Sequence, residues 1–408
     1  MKKKHSVKEK YIKHEYIWTH KILRSAAIAS ISSFIGVFAL AIFALCHFCF
    51  SDIAVTEIYT NKIFYYINYP MRKITQYIPF SVAELLLFIF IACSIILIIK
   101  TIFHTIKSVI LYVRMDKEGY LPEKRSMLRP LANLGLRFVS VFCVCVAVFI
   151  FFGGINYTGA AFAQKNNYTQ DGYTVEQLRE LCCILAEEVS LTRQVLETNP
   201  NGSINETYSG YNPYRLAEEA KTAYSRLPAE YNSARKDYTA VKFAYSSEIM
   251  SNFHITGIYP YLLPEAVVNI NTPIMSLPHT ICHEMAHQLG FAREDEANFI
   301  AYMACLQSDN ALFAYSAYYT AFSYAMNELR LYDTENWQLI MQNADKNVIK
   351  DMERENAYWN HFETVSSEFT SEVNDTYLSI MTVEDGVKSY GGMLELLLEE
   401  AIRSGAIK

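Results

Sequence analysis

Charge is nearly missing from three stretches of this 408-residue chain. Residues 25–50 contain no Lys, Arg, Asp or Glu, residues 82–103 contain only Glu84 and Lys100, and residues 134–153 contain only Arg137. About 20 apolar residues span a bilayer as a helix, so these stretches exclude a wholly soluble protein and predict three membrane helices. The third run needs its flanks to reach that length. The spans are also poor in the buried polar groups that line a transport path, which argues against a transporter. The first run is too long for a cleaved leader, and Leu45 before Cys46 does not suit lipoprotein processing. It is read as a retained anchor.

Other features are missing too. The nine cysteines show no spacing of a zinc ribbon or a disulfide-stapled scaffold. No internal repeat is present. Positive charge is scarce in the C-terminal part: residues 1–153 carry 19 Lys and Arg against 8 Asp and Glu, whereas residues 154–408 carry 17 against 34. So acidic a body repels phosphate backbones, and no nucleic-acid partner is expected.

Lys and Arg set an orientation. Eight precede the first run, three lie between the first and second (Lys62, Arg72, Lys73), and eight lie from Lys100 to Arg137. This alternation predicts a multi-pass cell-membrane protein with a cytoplasmic N-terminus and an extracytoplasmic C-terminal domain.

Within that domain stands His283-Glu284-Met285-Ala286-His287. Two His four apart share a helix face and can reach one metal ion, and the Glu between them lies beside it as a general base. Ser276-Leu277-Pro278 supplies a helix start and Gly290 a stop. A catalytic zinc takes three protein ligands and one water, so a third ligand is sought downstream. A second helix is predicted from Asp295, and Glu294 and Glu296 are the candidates. They project about 200° apart, so only one of them faces the metal.

The HExxH run followed by Glu-x-x-x-Asn resembles the glutamate-zincins (gluzincins). The resemblance implies Glu294 as zinc ligand and Asn298 as support for the ligands. Only six residues separate His287 from Glu294, shorter than in most gluzincins, so Glu296 stays open. The stretch from Gly257-Ile258-Tyr259-Pro260 through Glu265-Ala266-Val267-Val268-Asn269 to this helix pair also resembles an uncharacterised bacterial family with three N-terminal membrane helices. That family implies no substrate.

The predicted organisation is a membrane anchor over 1–155 with helices at about 25–50, 82–103 and 134–153, a linker over 156–172, and a domain over 173–408. The expected fold class is a three-helix multi-pass anchor plus a mostly α (α+β) zincin-like extracytoplasmic domain. Thr174 and Gln177 open a helix to about Glu197. Further helices are expected near 215–227, 230–243 and over 312–401, with strand character over 252–271. Residues 265–270 are either a core hairpin or an edge that pairs with a substrate backbone. Tyr302, Tyr315, Tyr318, Tyr319, His254, His279 and Glu265 are secondary candidates near the site, each with a structural role as the alternative. Cys282 and Cys305 are either a bridge or small core residues.

The expected function is a membrane-anchored zinc peptidase acting on peptides or proteins at the outer membrane face, with the lipid bilayer as its other partner. His283, His287 and Glu294 would hold Zn²⁺, and Glu284 would take a proton from water and deliver it to the leaving amine. The alternative is a non-catalytic membrane protein whose metal site is structural or vestigial and whose acidic domain binds a partner. An intramembrane protease is disfavoured, because the HExxH lies far past the last span.

Overall fold

A computed structural model describes residues 2–120, 123–168, 172–229, 231, 238–261, 263–363, 367–368, 370–372 and 389–407. The protein is mostly helical with one small sheet, and it divides into two units.

The first unit comprises residues 1–49 and 84–153. It holds α1 (Lys2–Cys49), all but the first two residues of α4 (Val82–Lys117), and α5 (Arg129–Phe152). All three helices are long and apolar enough to cross a membrane. They face outward with Phe34, Phe38, Leu87, Phe103 and Phe142, as lipid-exposed helices do. Small groups set the α1–α5 contact. Gly36 lies so close to Cys143 that an added Cβ would sit 3.3 Å from its main-chain oxygen, and Ser25 donates a buried 2.8 Å hydrogen bond to Asn133. α1 and α4 run well beyond the apolar stretches as helix.

The second unit comprises residues 50–83 and 154–408. The segment between the first two long helices therefore folds with the C-terminal body. It forms α2 (Asp52–Val55), a π-helix (Thr56–Phe64) and α3 (Tyr65–Thr75) in direct succession. π-Helix of this length is rare and tends to mark functional places. Thr56 Oγ1 accepts from the Ala160 amide (2.8 Å), and Thr60 donates to Asn156 (2.9 Å). Residues 156–163, expected as part of a linker, are mostly buried and fall within a 3-10 turn (Gly154–Thr158) and the start of α6 (Phe162–Asn166), because Tyr157 and Phe162 are core side chains. Residues 169–171 of that stretch lie outside the described residues.

Beyond it, α7 (Val175–Gln194) opens at Thr174 and Gln177 as expected, and the two form a reciprocal cap. α8 (Pro213–Arg226) follows, capped by Asn212. Of the helix expected near 230–243, residues 230 and 232–237 lie outside the described residues, and Lys242–Phe243 is β1. α9 (Ser247–Asn252), β2 (Gly257–Ile258) and β3 (Val267–Val268) come next. The sheet order is β1-β3-β2, with β3 parallel to β1 and antiparallel to β2. β3 is thus the central strand, so residues 265–270 are not the edge that a substrate backbone could join. The edge beside the site is β2.

α10 (Leu277–Gln288), α11 (Glu294–Cys305) and α12 (Ala311–Tyr332) form the core, with α7 along α12. α13 (Thr334–Asn343), α14 (Lys346–His361) and α15 (Ser389–Arg403) complete the described helices. In the helical stretch expected over 312–401, residues 364–366, 369 and 373–388 lie outside the described residues. A buried ion pair ties α7 to α14. Arg193 Nε donates to Asp351 Oδ2 at 2.5 Å, with side-chain exposures of 1% and 0%. Tyr315 and Arg354 also donate to Asp351, and Arg193 donates to the Gly202 carbonyl.

Candidate metal centre

Every residue of α10 except His283 is buried. Pro278 sits in its first turn, where a missing amide costs nothing. Its end is a six-to-one turn: Phe291 N donates to Ala286 O (3.3 Å), Gly290 N donates to His287 O (3.1 Å), and Gly290 has φ +96°. Only glycine adopts that angle without strain, and the turn sends α11 back along α10.

This return brings three donors together. His283 Nε2 lies 3.1 Å from His287 Nε2 and 3.1 Å from Glu294 Oε2, and His287 Nε2 lies 3.7 Å from Glu294 Oε1. The candidate ligand atoms of the three residues all fall within 4.8 Å of one another. Four donors about 2.0–2.1 Å from a tetrahedral zinc would be about 3.3 Å apart, so this triangle has the right size. His287 Nδ1 donates to the Phe291 carbonyl at 2.7 Å. That bond puts the proton of the neutral ring on Nδ1 and leaves the Nε2 lone pair facing the triangle. Asn298, one turn after Glu294, lies against His283 and favours its charged form.

The electrostatics follow from the packing. Burial opposes charge on Glu294, but His287 and His283 outweigh it and hold its carboxyl down at about 2. Burial also opposes charge on His283, but its hydrogen bond to Glu294 overrides this and raises its pKa. Burial lowers His287. Glu284 is 4% exposed, and burial pushes its carboxyl up to about 8. Its Oε2 has no hydrogen-bond partner among the described residues. The β2 strand lies directly on it: a Cβ built on Gly257 would fall 2.6 Å from Glu284 Cγ. Only glycine leaves that carboxylate its room.

Glu296 goes elsewhere. Its Oε1 accepts from the Phe162 amide at 2.6 Å, and burial, reinforced by Asp295, raises its carboxyl to about 7. The secondary candidates are likewise committed. Tyr315 donates to Asp351 (2.9 Å), Tyr319 donates to Glu355 (2.7 Å), and Tyr302 and Tyr318 meet edge-on with ring centres 5.8 Å apart. His254 packs on Trp359. Glu265 pairs with Lys242 (2.6 Å) and accepts from the Val82 and Ala83 amides. His279, one turn before His283, bonds the Asn298 carbonyl. Cys282 and Cys305 are free thiols in the core, both fully buried.

Three site neighbours went unread in the sequence: Gly257, Tyr259 and Arg72. The Tyr259 ring stacks on His287 with centroids 6.4 Å apart, and its hydroxyl has no partner among the described residues. Its position two residues after Gly257, just past the end of β2, was the available signal. Arg72 had none, since it reaches the site from 216 residues away. A groove of about 690 Å³, lined by Tyr77, Tyr214, Phe243 and Tyr245 among others, runs beside β1 and not over the His-His-Glu triangle.

No curated protein and no solved structure matches the chain. Residues 59–398 match the profile of a family described as protein of unknown function (DUF3810), a match that begins inside the π-helix and takes in the whole triangle, and the chain belongs to that family.

Proposed function

We propose that the protein is a membrane-anchored, zinc-dependent peptidase whose site lies on the extracytoplasmic side. The observation that carries this reading is the pairing of a zinc-sized triangle, His283, His287 and Glu294, with Glu284 held beside it by the Gly257 strand.

In this reading His283 and His287 bind through Nε2 and Glu294 through its carboxylate. A zinc ion held there would lower the pKa of water and polarise the scissile carbonyl. Glu284 accepts the proton of the attacking water and delivers it to the leaving amine. Burial makes its carboxyl a better proton carrier near neutral pH than an exposed glutamate. Asn298 steadies His283, and the His287–Phe291 bond fixes the His287 ring. β2 offers the edge along which an extended peptide would lie.

Folding topology supports the placement. Residues 50–83 and 154–408 share one unit, which supports a topology with the chain after the first span and after the third on one side. Three spans fit that topology, and the basic flanks favour the cytoplasm for the other side. Substrates are then peptides or proteins at the outer membrane surface.

The test uses the full chain in detergent, because residues 50–83 belong to the body. Elemental analysis of wild type should give about one zinc per chain, lost in His283→Ala and Glu294→Gln and kept in Glu296→Gln and Glu284→Gln. Glu284→Gln should lower hydrolysis of a peptide library by about 10²–10⁴-fold. A folded wild type that takes up no supplied zinc would overturn this reading and favour a partner-binding domain. Undiminished hydrolysis by Glu284→Gln would overturn the mechanism.

A further inference from the structure

The segment between the first two spans touches the end of α10 at several points. Arg72, on α3, is 4% exposed, and its Nη1 donates to the main-chain oxygen of Gln288 at 2.6 Å. That carbonyl belongs to the last residue of α10, one of the terminal oxygens that a helix cannot satisfy internally. His287 is the residue immediately before it. The Gln288 side chain is held as well, accepting from the Thr239 amide and hydroxyl at 3.2 Å each. From the same segment, Thr60 of the π-helix closes on the turn after His287. A Cβ on Gly290 would sit 2.8 Å from its Cγ2.

A buried guanidinium is an expensive way to fill space. Here its Nε has no hydrogen-bond partner among the described residues, so packing alone would be served better by an apolar side chain. What the cation does have is a position at a helix C-terminus, where the aligned peptide dipoles favour positive charge. It also lies near Tyr259, whose ring covers His287: Arg72 opposes the rise that burial imposes on the Tyr259 hydroxyl. The carbonyl next after His287 and the tyrosine stacked on its ring thus both meet one side chain from outside the C-terminal stretch.

We infer that Arg72 is a positioning residue for the metal centre: by holding the Gln288 carbonyl it fixes the last turn of α10 and sets the Nε2 of His287 against His283 and Glu294. This rests on the zinc-site reading. It goes beyond that reading by making the inter-span segment a working part of the centre. Without Arg72 the Gln288 carbonyl loses its hydrogen bond, leaving the Phe291–Ala286 and Gly290–His287 bonds to close the turn that carries His287. The loss would be in metal affinity, through a residue that touches no metal.

The experiment compares full-length wild type, Arg72→Lys and Arg72→Ala in detergent. Zinc affinity is read by chelator competition, unfolding midpoints are taken with and without zinc, and the visible spectrum is recorded with cobalt in place of zinc. Arg72→Ala should bind zinc about 10–100-fold more weakly. Arg72→Lys, which keeps the charge with a shorter reach, should fall between. The rise in midpoint on adding zinc should shrink in the same order, a change that a purely structural role would not produce. The cobalt bands should shift with the His287 ligand. If Arg72→Ala does not fold, Arg72→Lys decides alone. Wild-type affinity and an unshifted cobalt spectrum in every folded variant would overturn the inference and leave the zinc site standing. A wild type that binds neither metal would overturn the site reading, and this inference with it.

Discussion

His279 Nε2 lies 3.1 Å from the main-chain oxygen of Asn298 and joins α10 to α11 one turn before the first proposed ligand. The carbonyl accepts, so the ring donates. Burial, with His283 nearby, lowers the pKa of His279 to about 3. The folded protein therefore keeps this ring neutral where the unfolded chain would protonate it. Its contribution to stability is complete above the ordinary histidine range, near 6.5, and is lost as pH falls from there toward 3. His279→Gln offers a donor that does not titrate. The wild-type unfolding midpoint should drop more than that of His279→Gln between pH 7.5 and pH 5, measured on the metal-free protein.

Glu296 titrates in the opposite sense. Its folded carboxyl is raised to about 7, so the fold favours its protonated form. That contribution is present at pH 4.5 and below and is lost as pH rises through 7. Glu296→Gln retains an oxygen for the Phe162 amide and has no charge to bury. It should raise the unfolding midpoint at pH 8 and change it little at pH 4.5.

Gly257→Ala places a methyl against the Glu284 side chain. We expect a cost of about 1–3 kcal/mol in stability, as for other overpacked sites. Hydrolysis should fall while zinc content stays at the wild-type level, because the methyl displaces the proposed base and none of the triangle. Denaturant titration and elemental analysis of one sample check both.

Asp351→Ala strands Arg193 in the core. Removing one partner of a buried pair costs about 3–5 kcal/mol. Denaturant unfolding should show that loss, with zinc affinity unchanged, since the pair ties α7 to α14 and neither helix carries a proposed ligand.

The sequence was most legible where one short pattern contains its own geometry. His283, Glu284 and His287 lie on one turn, so periodicity places them together before any fold is known. The choice between Glu294 and Glu296 was not legible, because it depends on how α11 returns. The structure groups Glu294 with the two histidines and sends Glu296 to the Phe162 amide, whose position no local pattern announces. The strand over 265–270 was visible as extended chain. Its central place in the sheet was not, since strand order depends on β1, 25 residues earlier in register. The three apolar runs were plain, yet the 34 residues 50–83 gave no sign that they fold with the body. Their polar contacts, Thr60 to Asn156 and Arg72 to Gln288, join positions 96 and 216 residues apart.

The chain crosses between its two units at three junctions, after Cys49, after Ala83 and after Gly153. A protease that cut only the last junction would not shed the body. Residues 50–83 would still grip it through Arg72 and Gln288, Thr56 and Ala160, and the Lys242–Glu265 pair that holds Thr75, Phe80 and Val82. Separating the body from the three long apolar helices requires all three junctions to be severed, with residues 50–83 leaving as a second, non-covalently bound chain.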